Sequence, residues 1–319
     1  MNVLSLFDGI SCGQVALNRA GFKVDNYFSS EIDENAILVT QSNFPNTIQL
    51  GDVNKVDATK LPKIDLMFGG SPCQSFSRSG NQGGFDDPRG KLFFEYVRIL
   101  GEVRLQNPDV YFLLENVRMD KMSEAVITDA LGVAPILINS ALVSAQNRER
   151  LYWTNIPNVS VPADKNLKIR DIIDDEGPYE YVHPNFAETA KYLNSYVQYD
   201  LTRKGHNSQN FRAYYPDGKM ACLNHSTPHG AKILIDGCIR KTTRCEHERL
   251  QTLPDCYTNV LSLNKAKEAI GNGWTVDVIA HIFSFIGKEN GVIYEIGFSY
   301  FEYRKFIHEQ AVKLFYALV

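Results

Sequence analysis

An α/β fold on a doubly wound, mixed but mostly parallel sheet is what this 319-residue sequence predicts, on three observations. Apolar strand-like runs alternate with helical patterns over residues 1–155, small and acidic residues cluster where those runs end, and the rhythm breaks beyond. The strands are expected at 3–7, 24–30, 64–68, 110–114 and 136–143, with a further short one at 151–154. Helical patterns lie between several of them, at 13–20, 33–43 and 91–106. From 156 to 243, prolines 157, 162, 178, 184, 216 and 228 punctuate short polar and tyrosine-bearing segments, such as His206–Asn210, so a small loop-rich domain is expected. Helical texture returns over 244–287, at Glu246–Leu253, Asn264–Ile270 and Val276–Ile286, and the chain would rejoin the first domain there. Residues 288–319 form an extension with an aromatic-rich helix candidate at 300–318, expected to pack on the core, with a dimer contact as the alternative.

Composition narrows the class. Hydrophobic residues make up 44% and charged residues 22%, as in ordinary globular proteins. Nothing near 18 consecutive apolar residues occurs, and Met1 leads directly into the first strand, so a cytoplasmic protein is expected. The six cysteines show no C-x-x-C pair, which argues against a disulfide framework or a structural zinc site. The net charge of −4 does not announce a nucleic-acid binder. Net charge averages over faces, however, and residues 181–250 carry ten Lys/Arg against six Asp/Glu.

Phe7-Asp8-Gly9-Ile10-Ser11-Cys12-Gly13 follows the first strand and opens a helix. Small residues there let the backbone approach a ligand, and the helix start offers free N–H groups. The pattern is not G-x-G-x-x-G, so the dinucleotide fingerprint is missing. Glu31 ends the second strand, where an acidic side chain meets ribose hydroxyls in such folds, and Gly51-Asp52 marks a third strand end. Together these suit an adenosine-type ligand without pyrophosphate, which fits S-adenosylmethionine better than a nicotinamide dinucleotide.

Asp65 to Gln74 is the most informative stretch: an apolar strand runs into Gly69-Gly70-Ser71-Pro72, which present Cys73 at a sheet edge. A thiol held by a rigid turn acts as a nucleophile where its neighbours favour the thiolate; otherwise it is a small hydrophobe. Leu113-Leu114-Glu115-Asn116-Val117 brings a carboxylate to the same edge, and Gln146-Asn147-Arg148-Glu149-Arg150 places two arginines on one face of an extended segment. Cysteine, glutamate and paired arginines suit attack of a thiolate on carbon 6 of cytosine, with a carboxyl at N3 draining charge as carbon 5 becomes nucleophilic. Such a base must be flipped out of a duplex, and the polar, glycine-rich segment 76–91 could close over it.

At this point the sequence resembles the DNA cytosine-5 methyltransferase family, motif by motif along most of its length. Phe7–Gly13 is similar to the first cofactor motif and Ser71–Gln74 to the Pro-Cys motif. Glu115–Val117 and Gln146–Arg150 follow in the same order. Arg244, Glu246, Arg249-Leu250-Gln251 and Leu253-Pro254-Asp255 resemble the segment closing the recognition domain, and Gly271–Val276 the last motif. Gly90–Phe94 and Trp274 are closest in texture to the eukaryotic de novo branch, while the compact chain is like bacterial and phage enzymes.

The resemblance implies an S-adenosylmethionine-dependent methyltransferase fold and assigns roles. Cys73 would be the nucleophile, Glu115 the N3 contact, and Arg148 and Arg150 the groups steadying the base or its phosphate. Phe7 would stack on adenine, Glu31 bind ribose, Asp52 meet the adenine amine and Asn272 help close the pocket. Asp8, Gly9, Ile10, Ser11, Gly13, Ile32, Val53, Gly70, Pro72, Leu92 and Trp274 would complete the cofactor site. Gln74, Ser77 and Arg89 are candidate DNA contacts; Arg240, Lys241 and Arg244 are candidate phosphate contacts, which position DNA without reading it. Lys219–Ser226 and Pro228-His229-Gly230 could present polar groups to base edges, or form an ordinary surface hairpin.

Double-stranded DNA is thus the expected partner of a monomer or weak dimer, and a cognate restriction endonuclease stays open. Three rivals remain. A tRNA cytosine methyltransferase would carry a Cys-Phe-Thr tripeptide, which does not occur here. A non-catalytic DNA-binding relative sits badly with Cys73, Glu115, Arg148 and Arg150 all being present. A nicotinamide-dependent oxidoreductase fits the sheet but not the glycines.

Overall fold

The computed structural model describes residues 1–72, 92–175, 177, 179–183, 191–198, 211–223 and 231–287. Cys73, Gln74, Ser77, Arg89, the segment 76–91, residues His206–Asn210, 224–230 and the tail 288–319 lie outside the described residues.

In chain order the first half runs β1 (Asn2–Leu6), α1 (Cys12–Arg19), β2 (Asn26–Ser30), α2 (Glu34–Asn43), β3 (Ile48–Gln49), β4 (Leu66–Gly69), α3 (Leu92–Gln106), β5 (Tyr111–Val117), α4 (Lys121–Leu131), β6 (Ile136–Asn139) and β7 (Glu149–Thr154). These strands form one seven-stranded sheet in the order β3-β2-β1-β4-β5-β7-β6. The five strands from β3 to β5 are parallel, and β7 inserts antiparallel between β5 and β6. The sheet is therefore mixed and mostly parallel, as expected. The winding reverses between β1 and β4, so a crevice opens at their C-terminal ends, the usual ligand side of such sheets.

Both faces of the sheet are covered, and the strand sequences show why. Side chains alternate across a strand. Val3, Leu66, Phe68 and Leu113 join one apolar layer, with helices on that side; Leu4, Leu6, Met67, Phe112 and Leu114 join the other. The second layer receives Phe93, Tyr96, Val97, Leu100 and Val103 of α3, an i, i+3, i+4 spacing that puts them on one helical stripe. Gly13 is a packing residue: a Cβ there would come within 2.4 Å of the Phe68 ring, so only glycine lets α1 lie this close to β4.

A second, six-stranded sheet follows, of β8 (Tyr181–His183), β9 (Lys191–Tyr192), β10 (Tyr196–Gln198), β11 (Arg212–Tyr214), β12 (Lys232–Ile235) and β13 (Cys238–Lys241), in the order β8-β13-β12-β11-β10-β9. Its strands are two to four residues long and lie within the region expected to be loop-rich. The chain then gives α5 (Arg244–Leu250), α6 (Leu263–Asn272) and α7 (Val276–Phe283). The last of these sends Val276, Ile279 and Phe283 into the layer shared with α1, and Arg19 of α1 pairs with Asp277 of α7. Among the described residues no helix is long and apolar enough to cross a membrane.

Candidate active site

The β1–α1 turn is a strained connection held by one carboxylate. Phe7, Gly9 and Ser11 take positive φ values of 56, 57 and 55°. Asp8 points inward, where it accepts hydrogen bonds from the hydroxyls of Ser5 (2.5 Å), Tyr27 (2.6 Å), Ser29 (3.0 Å) and Ser11. Burial raises the Asp8 carboxyl above the ordinary aspartate range, against the pull of those four hydroxyls. Ile10 and Ser11 are buried, and the Ile10 carbonyl accepts from the Tyr257 hydroxyl at 2.7 Å. Asp8, Ile10, Ser11 and Gly13, expected to line the cofactor, thus build the turn from beneath. Gly9 differs, because a Cβ there would meet nothing within 4 Å.

The remaining groups lie around that open glycine. Glu31 follows β2 and accepts the N–H groups of Gly9 (2.7 Å), Ile32 (2.7 Å) and Asp33 (2.9 Å). Ile32 is 72% exposed, a large apolar side chain left in solvent beside a carboxylate. Asp52 caps the short helical turn Val53–Lys55 by accepting from the Asn54 backbone at 3.0 Å, which helps hold its carboxyl below the ordinary range. Val53 is buried, and the half-buried Phe7 and Leu92 pack on the same apolar layer.

The second cluster sits at the ends of β4 and β5. Glu115 is buried; its Oε1 pairs with Arg150 Nε at 2.9 Å and its Oε2 accepts from Trp274 Nε1 at 3.0 Å. A Cβ on Gly70 would stand 3.0 Å from that Oε2 and 3.1 Å from the indole nitrogen, so the backbone leading to Pro72 passes directly against the carboxylate. Asn116 donates to the Ser71 hydroxyl at 3.1 Å, tying the same turn to β5. Trp274, read as a cofactor contact, is placed against Glu115 and the Phe68 ring (centroids 5.8 Å apart). Asn272 ends α6 and is exposed.

Three of the candidate cationic contacts are engaged by other groups of the chain. Arg148 is 4% exposed, and its terminal nitrogens donate to the carbonyls of Leu223 (2.7 Å), Gly273 (2.9 Å) and Gly271 (3.4 Å). It is a strut joining three segments, with its guanidinium engaged by their backbone carbonyls. Arg240 makes a bidentate pair with Glu246 (2.6 and 2.9 Å), side chains 3% and 0% exposed, and lies over the Tyr179 ring. Arg244 donates to the carbonyls of Thr258 (2.6 Å) and Leu261 (2.8 Å). A buried cation needs such a partner, so Arg240 is committed to Glu246, while the partly buried Arg244 spends its terminal nitrogens on two backbone carbonyls. Lys241 is paired with Glu180 at the surface. One group missed in the sequence is Cys222, whose sulfur lies 3.4 Å from Arg148 Nη1 and 3.7 Å from Arg150 Nη2.

Comparison with known proteins identifies the family. The chain is 39% identical over 169 residues to the orphan methyltransferase M.SPRI of Bacillus phage SPR, covering 49% of this chain and 38% of that protein. The chain thus matches well under half the length of that phage relative, and 32% of M.Rho11sI of Bacillus phage rho11s. The type II methyltransferase M.NlaX of Neisseria lactamica is 30% identical over 307 residues, 88% of this chain and 94% of that one. In fold, the chain superposes on a methyltransferase of Entamoeba histolytica with a TM-score of 0.67, over 89% of this chain and 97% of that one, at 17% identity. The family model for C-5 cytosine-specific DNA methylase matches residues 1–288, and the chain belongs to that family.

Proposed function

We propose that this chain transfers a methyl group from S-adenosylmethionine to carbon 5 of cytosine in double-stranded DNA. The observation that carries the reading is the Glu115 carboxylate, bracketed by Arg150 and Trp274 against the Gly70 backbone, three residues before Cys73.

The crevice fits the cofactor on its own features. Open space over Gly9, the Glu31 carboxylate held beside it by backbone N–H groups and the exposed Ile32 suit a nucleoside with ribose hydroxyls and a flat apolar base. Phe7, Glu31, Ile32 and Asp52 would hold it, with Val53 and Leu92 behind. Bound there, S-adenosylmethionine supplies an electrophilic methyl group.

The protein's own part begins with the flipped-out cytosine. The Cys73 thiolate adds to carbon 6, and the electrons of the 5,6 double bond move to carbon 5. A proton held between Glu115 and N3 draws charge from the ring as the sulfur–carbon bond forms. After methylation, a water molecule takes the carbon-5 proton, the electrons of that C–H bond re-form the 5,6 double bond, and the sulfur–carbon bond breaks to release the Cys73 thiolate. Arg150 and Trp274 fix both oxygens of Glu115 so that its approach to the base needs little reorganisation. Enclosing the base requires extruding it from the duplex, which costs a few kcal/mol of stacking and pairing.

Bisulfite sequencing tests this directly. Mixed-sequence duplex DNA incubated with the protein and S-adenosylmethionine should show protected cytosines in one recurring short context, and Cys73→Ser should show none. Methyl label in tRNA with none in DNA would replace the DNA reading with an RNA one; label in neither would leave a non-catalytic binder.

A further inference from the structure

Cys222 sits on the segment after β11, which is stitched to the approach to β7. Asn147 N–H donates to the Met220 carbonyl at 2.8 Å, Met220 N–H to the Ala145 carbonyl at 2.7 Å, and Leu223 N–H to Gln146 Oε1 at 2.7 Å. These bonds fix the backbone on both sides of the cysteine. Its sulfur then falls between two guanidiniums, 3.4 Å from Arg148 Nη1 and 3.7 Å from Arg150 Nη2.

The two arginines differ. Arg148 is immobilised by three backbone carbonyls. Arg150 has one nitrogen on Glu115 Oε1 (2.9 Å), one on the Glu149 carbonyl (2.8 Å) and one on the cysteine sulfur. The sulfur is therefore the link through which the second sheet's segment reaches the carboxylate. We propose that Cys222 is a positioning residue for methyl transfer: held against the fixed Arg148, it sets the Arg150 side chain that in turn aligns Glu115. This rests on the reading of Glu115 as the cytosine contact.

A thiol suits the position better than an inert acceptor. Among the described residues the two guanidiniums face one carboxylate, Glu115; the Tyr152 hydroxyl beside Arg150 and the Cys12 thiol near Arg148 are both kept protonated by burial. Burial pushes the Cys222 thiol up, but the charges of Arg148 and Arg150 outweigh it and hold the group below the ordinary thiol range. Ionisation turns the two N–H···S contacts into charge-assisted ones, the stronger class. It also ends the thiol's own donation to the Leu223 carbonyl (3.3 Å), which Arg148 already engages.

The test uses the full chain, tritiated S-adenosylmethionine and mixed-sequence duplex DNA, with Cys222→Ala, Cys222→Ser and Glu115→Gln compared from pH 6 to 9.5. Cys222→Ala should lower kcat on the order of tenfold with both KM values unchanged, inside the roughly 100-fold that an ångström of misplacement costs. Cys222→Ser, which keeps an acceptor between the guanidiniums, should recover most of the neutral-pH rate but lack the wild-type rise as the thiol ionises. A Cys222→Ala enzyme as fast as wild type with the same pH profile overturns the proposal. So does a serine variant as slow as the alanine one, since that marks a purely steric role. An active Glu115→Gln enzyme instead removes the underlying reading of Glu115. Independently of turnover, the pH dependence of Cys222 alkylation by iodoacetamide, followed by mass spectrometry, should move to higher pH in Arg150→Met; no movement overturns the coupling.

Discussion

The indole nitrogen of Trp274 donates to Glu115 Oε2 at 3.0 Å, joining residues 159 apart in sequence at the mouth of the sheet. The same carboxylate is held on its other oxygen by Arg150. Neither oxygen of Glu115 can swing without breaking a contact, and Gly70 closes the remaining side.

Trp274→Phe keeps an aromatic ring against Phe68 and removes the donor. We expect kcat to fall about tenfold, with S-adenosylmethionine affinity by equilibrium dialysis unchanged. Gly70→Ala adds a Cβ 3.0 Å from Oε2 and 3.1 Å from the indole nitrogen, so both must give way. It should lose more, toward the roughly 100-fold that an ångström of misplacement costs, with stability changed by under about 1 kcal/mol. An alanine variant of normal rate would mean that Glu115 does not need its present position.

Much of this frame could be read from the residues in order. Strands β1, β4 and β5 carry near-continuous apolar runs because both their faces are covered, and that pattern is local. Helix α4 was missed because it buries only Ser123, Ile127 and Leu131, too thin a stripe to stand out. Strand β3 is two residues long, and the six strands of the second sheet span two to four each, below any periodicity signal. The site divides the same way. Glu115 and Arg150 stand out as motif residues and the fold pairs them, whereas the partners of Arg148, Arg240 and Arg244 are carbonyls and a carboxylate supplied by the folded chain, which no sequence pattern displays. A cation in sequence looks the same whether it will meet phosphate or a buried glutamate.

Arg148→Lys tests the strut. Lysine keeps the charge but not the planar fork that reaches Leu223, Gly271 and Gly273 together, so buried carbonyls lose donors. The cost should be about 2–3 kcal/mol by urea unfolding. Were Arg148 a phosphate contact instead, the change would appear in the salt dependence of DNA binding and leave stability alone.

Arg240→Ala would leave Glu246 as an uncompensated charge in the interior, at about 3–5 kcal/mol. Replacing both, as Arg240→Met with Glu246→Leu, removes that charge. Most of the loss should return, less what Glu246 contributes by accepting the N–H groups of Asp174 (3.1 Å) and Thr243 (2.8 Å). A double variant as unstable as the single one would show that the pair is needed for its hydrogen bonds alone.

His247 gives a pH prediction with a definite sign. It is 1% exposed, its Nδ1 lies 2.9 Å from the Thr242 hydroxyl, and burial, assisted by the Lys267 charge, pushes its pKa down to about 3. In the unfolded chain a histidine titrates near 6.5, so between those values the unfolded state binds a proton that the folded state refuses. Stability must then fall as pH falls, being fully present above about 6.5 and lower by about 2 kcal/mol at pH 5. Ordinary carboxylates titrate mostly below that window, which isolates the histidine. His247→Gln can still bond to the Thr242 hydroxyl but cannot protonate, so its urea midpoints should stay level from pH 7 to pH 5 while those of the wild type decline. Parallel declines in the two proteins would place the acid sensitivity elsewhere, with the buried Asp8 excluded as its source. A carboxyl whose folded pKa is raised gains relative stability on acidification, the opposite sign.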